Sequence, residues 1–357
     1  MNGLLALAAE LVAVPSPSGA EGELADIVEA SLRAVPGLVV DRLGDNVVAR
    51  TRRGRARRVM LAGHLDTVAV GAEDTPRIEH GVLFGLGAAD MKGGLAVMLE
   101  LARRLADPAV DVTWCFYTCE EVSRDRSGLG QLWRERPELM AADVAILGEP
   151  TDCRVEAGCQ GTLRAVVELA GRRAHTARPF TGRNAIHRLA PVLGAVAGWE
   201  PRTVDIDGCT YTEQLQAVAV SGGLAGNVVP DRAALTVNYR YAPDREGDGA
   251  RGVLEGLLAP WLEPGPGDSL TVVDQADGAP PALGDPLLAE LVARTGHPPR
   301  AKVGWTDVAT FWAHGIPATN FGPGDPLLAH HPDEAVEAGA LDQAMAILAG
   351  LLGAGAG

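Results

Sequence analysis

The sequence predicts an α/β protein: a mixed, largely parallel sheet covered by helices, interrupted by an inserted ferredoxin-like α+β domain. Three observations carry this reading. Helical and strand patterns alternate through the first half of the 357 residues, the order that builds a sheet with parallel content. The strand segments there are apolar on both faces, as a covered sheet requires. Near residue 160 the order becomes strand, helix, strand, strand, helix, strand, which is ferredoxin-like.

The elements follow in order. Leu4, Leu7, Ala8, Leu11 and Val12 fall on one face of a helix. That stretch lacks a basic start and is broken by Glu10, so it does not read as a signal peptide. "AEGELADIVEASLRAV" is a second helix. "NVVAR" and "RVMLAGH" are strands joined by the arginine-crowded turn "RTRRGRARR". "MKGGLAVMLELARRLA" is a helix, and "DVTWCFYTCEE" and "ADVAILGEP" are strands. "GTLRAVVELAGR", "YTEQLQAVAVSGG" and "RAALTVNYRYAP" alternate as half-buried strands, with "NAIHRLAPVLGAVAGW" helical between the first two. The helix "REGDGARGVLEGLLAPWL" and the strand "DSLTVVDQA" close the insertion. These patterns place the insertion at 162–275 and the larger domain at 1–161 and 276–357.

Composition narrows the function classes. Apolar residues make up 47% and charged residues 22%, as in a water-soluble globular protein. A net charge of −15 disfavours nucleic acid and acidic membrane as partners. The six arginines of 50–58 are a local exception, and they fit a turn between strands better than an RNA surface. The five cysteines are odd in number and form no CxxC pair, so reduced thiols and a cytoplasmic location are expected. No segment is long and apolar enough to cross a bilayer.

The chemistry gathers at strand ends, where open α/β sheets bind ligands. "VMLAGHLDT" delivers His64 and Asp66, and "GLGAADMKGG" delivers Asp90 in a glycine-rich loop. "CFYTCEE" delivers Glu120 and Glu121, "AILGEPTD" delivers Glu149, and "GDPLLAHHPDE" offers His330 and His331. Each alone has a plain structural explanation; Asp90 could cap its helix, and His80, His187, His297 and His314 are read as structural or exposed. Together they form a histidine-and-carboxylate set without thiolate, which suits zinc, manganese or cobalt in a hydrolytic site. Two adjacent acids then make sense: one can ligate a metal while the other accepts a proton from an activated water. Asp66 stands two residues after His64, where it can orient the imidazole from behind.

These motifs resemble the dinuclear-zinc amidohydrolase and peptidase family that includes desuccinylases, acetylornithine deacetylase and carboxypeptidase G. "GHLDTV", "GLGAADMKGG", "CEE", "GEPT" and "AHHPDE" occur in the family's order across nearly the whole chain. The resemblance implies a zinc-peptidase-like fold with a lid, and two divalent ions, zinc first, with cobalt or manganese as substitutes. It implies His64 and Glu149 on one ion, Glu121 and His330 on the other, Asp90 bridging both, Glu120 as general base and Asp66 as the partner of His64. It also implies a cis peptide after Asp90.

For the lid, the resemblance implies that His175 supplies a donor to the reacting carbonyl, although Phe180 stands where some desuccinylases carry theirs. Asn227 and Arg240 match lid residues that hold a substrate carboxylate, a task suited to guanidinium; Arg178 is a further candidate. Gly322 and Gly324 match a loop whose backbone amides approach the ligand, and Thr306 a substrate contact, although "GWTDVATF" departs from the usual pattern there. "EAGCQGTLR", "GNVVPD", "VNYRYAPD" and "GWTDVA" resemble the actinobacterial desuccinylase branch. The expected partners are a small N-acyl amino acid and a second copy of the chain, paired through the lid. Deacetylation of acetylornithine, other deacylase or carboxypeptidase activity, and a non-hydrolytic metal-binding scaffold are the alternatives.

Overall fold

The computed structural model describes residues 3–69, 75–265 and 267–353. Its contacts divide the chain into two compact units, one of 1–157, 281–300 and 310–357, the other of 158–280 and 301–309. Relative to the sequence expectation, the second unit starts four residues earlier, runs five further and gains 301–309. That last segment has no strong periodicity of its own, so its allegiance is invisible in sequence.

The first unit opens with α1 (Gly3–Val12) and α2 (Gly22–Arg33), then β1 (Val39–Leu43), β2 (Asn46–Arg50) and β3 (Arg58–His64). Two short strands follow, β4 (Arg77–Glu79) and β5 (Val82–Phe84), before α3 (Gly93–Arg104), β6 (Asp111–Tyr117), α4 (Gly128–Glu135), β7 (Val144–Leu147) and β8 (Glu156–Ala157). All seven residues of β6 are buried, which is why it reads as a continuous apolar run rather than an alternating one. β3 lies parallel to both β6 and β7, so these strands send their carboxyl ends to one side.

The second unit holds β9 (Gly161–Ala170), α5 (Ala185–Ala197), β10 (Thr203–Ile206), β11 (Cys209–Thr212), β12 (Gln214–Gly222), β13 (Arg232–Tyr241), α6 (Gly247–Leu258) and β14 (Ser269–Ala276). Its four-stranded antiparallel sheet runs β12-β13-β9-β14. Leu163, Ala165, Val167 and Leu169 alternate inward on β9 and meet Leu235, Val237 and Tyr239 of β13 in one core with Leu189 and Leu254 of the helices. The β10–β11 hairpin is an addition to the pattern read from sequence. Its signal was the pair Asp207–Gly208, both at positive φ, the backbone a two-residue hairpin turn demands.

The chain returns to the first unit with α7 (Pro286–Thr295); β15 (Arg300–Ala301) and α8 (Val308–Ala313) flank the 301–309 segment of the second unit, and β16 (Ala318–Asn320), β17 (Ala335–Glu337) and α9 (Ala338–Leu351) belong again to the first. β16 joins parallel to β7, completing an eight-stranded sheet in the order β1-β2-β6-β3-β7-β16-β8-β15. α3 packs against β3 and β6, and α1, α2 and α9 pack against α3. A separate small sheet, β17-β5-β4, ties the segment after His330 to the segment before Asp90. No helix among the described residues is long and apolar enough to span a membrane.

Candidate active site

β3 ends in His64, which is 1% exposed. Its Nδ1 lies 2.9 Å from the main-chain oxygen of Asp66, so Nδ1–H donates there and Nε2 is turned toward Asp90 Oδ1, 3.0 Å away. Asp66 thus sits beside His64, meeting it through its carbonyl and, at longer range, through its carboxylate. Its carboxylate is 3.6 Å from Nδ1, and its shorter bonds go elsewhere. Oδ1 and Oδ2 accept the N–H groups of Glu120 and Glu121, each at 3.0 Å, and Oδ2 accepts the Ser18 hydroxyl at 2.7 Å. The residue that steadies His64 with its backbone therefore holds both adjacent acids with its side chain.

Those acids follow Tyr117 at the end of β6. Cys119 turns the chain with φ of 58°, and its N–H donates to Glu21 Oε1 at 3.1 Å. Glu21, buried on the N-terminal segment, was not singled out by sequence. β7 runs into Gly148 and the buried Glu149. Asp90 sits in the loop before α3, and the Asp90–Met91 peptide is cis. His330 adopts φ of 62° and brings Nε2 to 2.6 Å from Glu121 Oε1 and 3.5 Å from Asp90 Oδ2.

Among the described residues three sets of donor atoms result, the atoms of each within 4.8 Å of one another: His64 with Asp90 and Glu149, Asp90 with Glu121 and His330, and His64 with Glu120 and Glu121. Asp90 belongs to the first two, and Glu121 links the second to the third. Carboxylates and imidazoles packed this closely in a part-buried place carry an excess of negative charge, and oxygen and nitrogen donors of this kind fit divalent cations. The residues present therefore fit two ions sharing Asp90.

The electrostatics agree. Burial opposes a charge on His64, but hydrogen bonds to Asp66 and Asp90 win and its pKa is raised. The Glu121 hydrogen bond raises that of His330. Each imidazole is thus held by an acid that would share a cation with it, His64 by Asp90 and His330 by Glu121. Burial also opposes ionisation of Asp66, yet His64, the Ser18 hydroxyl and the Glu120 N–H lower its pKa to about 2.

The remaining expected residues distribute as follows. Gly322 does not offer its amide to a ligand: its N–H donates to Thr151 Oγ1 at 3.0 Å. A Cβ there would stand 2.5 Å from Gly148 O and 2.6 Å from Glu149 O, so this glycine permits close packing behind Glu149. Gly324 has φ of 91°, and its carbonyl accepts from Asp152 at 2.7 Å. In the second unit, His175 and Arg178 are exposed on one turn, and the Thr176 N–H donates to the carbonyl of Asn227 at 3.1 Å. Arg240 lies on β13 opposite Thr162 of β9, half-buried, with its pKa lowered by burial. Thr306 is buried, and its carbonyl accepts from the Cys159 thiol.

The model of peptidase family M20/M25/M40 matches residues 60–354. The chain belongs to that family. A Corynebacterium glutamicum succinyl-diaminopimelate desuccinylase is 46% identical over 337 residues, covering 92% of this chain and 90% of the relative. A Mycobacterium tuberculosis protein provisionally given the same name is 50% identical over 352 residues, 97% of each chain. An M20 metallo-carboxypeptidase from Sulfolobus solfataricus shares the fold, with a TM-score of 0.79, 17% identity and 99% of both chains covered. Membership makes this M20 protein a hydrolase of amide bonds.

Proposed function

We propose that this M20 hydrolase is a metal-dependent desuccinylase, cleaving N-succinyl-LL-2,6-diaminopimelate into succinate and LL-2,6-diaminopimelate for lysine and cell-wall synthesis. The observation that carries the reading is the convergence of His64, Asp90, Glu121, Glu149 and His330 with Glu120 beside them. The acyl group is inferred from the names of the actinobacterial relatives.

His64 and Glu149 would hold one divalent ion, Glu121 and His330 the other, and Asp90 both; zinc suits this donor set, with cobalt or manganese as substitutes. When bound, such ions acidify a water and polarise the amide carbonyl. Glu120 accepts the water's proton and returns it to the leaving amine. Asp66 keeps Glu120 and Glu121 pointed to their separate tasks. In the second unit, taken as the lid, His175 would donate to the carbonyl oxygen, and Arg240, Asn227 and Arg178 would bind substrate carboxylates, with Thr306 and Gly324 as further contacts. Positive charge from Arg240 would offset the net −15 of the chain toward an anionic substrate.

A homodimer through the lid is supported by β12, the edge strand of its sheet. Val218 and Val220 are 55% and 56% exposed there, an edge that a second copy can cover.

The test is hydrolysis of N-succinyl-LL-diaminopimelate and N-acetylornithine by zinc-reloaded protein beside Glu120→Gln. Zinc-dependent turnover of the succinyl substrate, reduced about 10²–10⁴-fold in the variant, is expected. Turnover of acetylornithine alone would move the specificity; turnover of neither by protein carrying two zinc ions would refute the substrate assignment.

A further inference from the structure

The geometry assigns Glu334 as a positioning residue that sets the backbone of Asp90, and so the metal-sharing carboxylate, through two hydrogen bonds. Glu334 is 2% exposed and lies beyond the residues proposed to touch metal or substrate. Its Oε1 accepts the N–H of Ala89 at 3.0 Å and the N–H of Asp90 at 2.9 Å. Both donors belong to the turn that carries Asp90, where the backbone leaves helical geometry and has no helix ladder to satisfy its amides. A buried N–H without an acceptor is costly, so the carboxylate fixes which way this turn can face.

Glu334 also joins two parts of the site. It follows His330 by a short turn in which its own N–H donates to the carbonyl of His331 at 3.0 Å. Its carbonyl accepts the N–H of Gly85 at 3.0 Å, and Ala335 pairs with Phe84 in the β17–β5 ladder. The segment bearing His330 is thereby stitched to the segment bearing Asp90 at several points, with Oε1 closest to the ligand. His330 and Asp90 must meet one ion together, and Glu334 fixes their separation.

The inference rests on the two-ion reading of the site, and the test separates the two. Metal-free wild type, Glu334→Gln, Glu334→Asp and Glu334→Ala are titrated with zinc alone by calorimetry, and kcat and KM are measured on the reloaded forms. Glutamine keeps a carbonyl oxygen at the same reach; aspartate keeps the charge but withdraws the acceptor. Glu334→Ala and Glu334→Asp are expected to weaken the second zinc by about 10–100-fold, the usual cost of losing an outer partner of a ligand. Their kcat should fall with little change in KM, and Glu334→Gln should stay close to wild type in zinc affinity. Wild-type affinity in all three variants would overturn the assignment. So would the reverse order, with aspartate intact and glutamine impaired, because Glu334 would then act by charge on Lys92, a buried lysine two residues after Asp90 that feels the Glu334 carboxylate, rather than by hydrogen bonding. Fewer than two zinc ions on wild type would overturn the two-ion reading itself, and the assignment with it.

Discussion

Replacing Gly94 with alanine tests how the helix after Asp90 is seated against the strand that delivers Glu149. Gly94 lies in the first turn of α3. A Cβ there would stand 2.2 Å from the carbonyl oxygen of Gly148 and 3.1 Å from its carbonyl carbon. Both neighbours are backbone, so no side chain can swing aside. Relieving the contact takes a shift of about 1 Å, of α3 or of the end of β7. Overpacking of this kind costs about 1–3 kcal/mol, partly offset by about 1 kcal/mol from the better helix propensity of alanine. Net stability should therefore fall by no more than about 2 kcal/mol. Function should suffer more, because the same shift separates Glu149 from Asp90, and a misplacement of about 1 Å can cost about 10²-fold in rate. Calorimetric zinc titration and kcat/KM on folded Gly94→Ala would measure both. Wild-type zinc affinity and rate in a variant of unchanged stability would refute the claim that this close approach sets the site.

Three further outcomes are expected. Asp66→Ala removes the acceptor for the Glu120 and Glu121 N–H groups and should lower kcat/KM by about 10–100-fold while the far-ultraviolet circular dichroism is retained; an unchanged rate would show that the loop holds itself. Asp111 should contribute to acid stability: burial opposes its ionisation, but the Thr51 hydroxyl and the N–H groups of Arg53 and Arg55 lower its pKa to about 2. Because the folded value lies below the unfolded one of about 3.9, its contribution of about 2–3 kcal/mol is complete above about pH 4 and is lost as pH falls toward 2. The stability gap between wild type and Asp111→Asn should narrow over that window in urea melts, and a constant gap would contradict it. If wild type pairs through β12 as proposed, Val220→Lys on that exposed edge should shift sedimentation from the dimer toward the single-chain mass; a dimer mass for both proteins would place the contact elsewhere.

Several candidate donors are legible in sequence because they follow a strand whose apolar run announces them. His64, Glu121 and Glu149 are examples, and Asp90 is marked by the glycines around it. What sequence did not reveal are side-chain bonds to distant backbone. Glu21 meeting Cys119, Glu334 meeting Asp90 and Asp111 meeting the arginine-rich turn leave no period and no local motif. Asp66 stands in the expected neighbourhood, but sequence does not show that its carbonyl makes the short bond to His64 while its carboxylate also accepts the N–H groups of the two acids. Gly322 resembles an opening for substrate in sequence, whereas its amide bonds to Thr151 and its missing Cβ serves packing. β9 and β13 are legible because one face is core and the other is not; β12, read as half-buried, buries only Leu215, and the short β10–β11 hairpin hides behind the longer pattern.

The bond between His330 and Glu121 joins residues 209 positions apart, with the whole second unit threaded between them. An ion shared by these two residues and Asp90 would clasp the late part of the chain to the early part, closing a very long loop. During synthesis, His64, Asp90, Glu121 and Glu149 all leave the ribosome well before His330, so a nascent chain could assemble one half of the site but not the other. Metal loading then becomes a report that the C-terminal segment has docked, and a protease should cut the metal-free chain near residue 330 sooner than the loaded one.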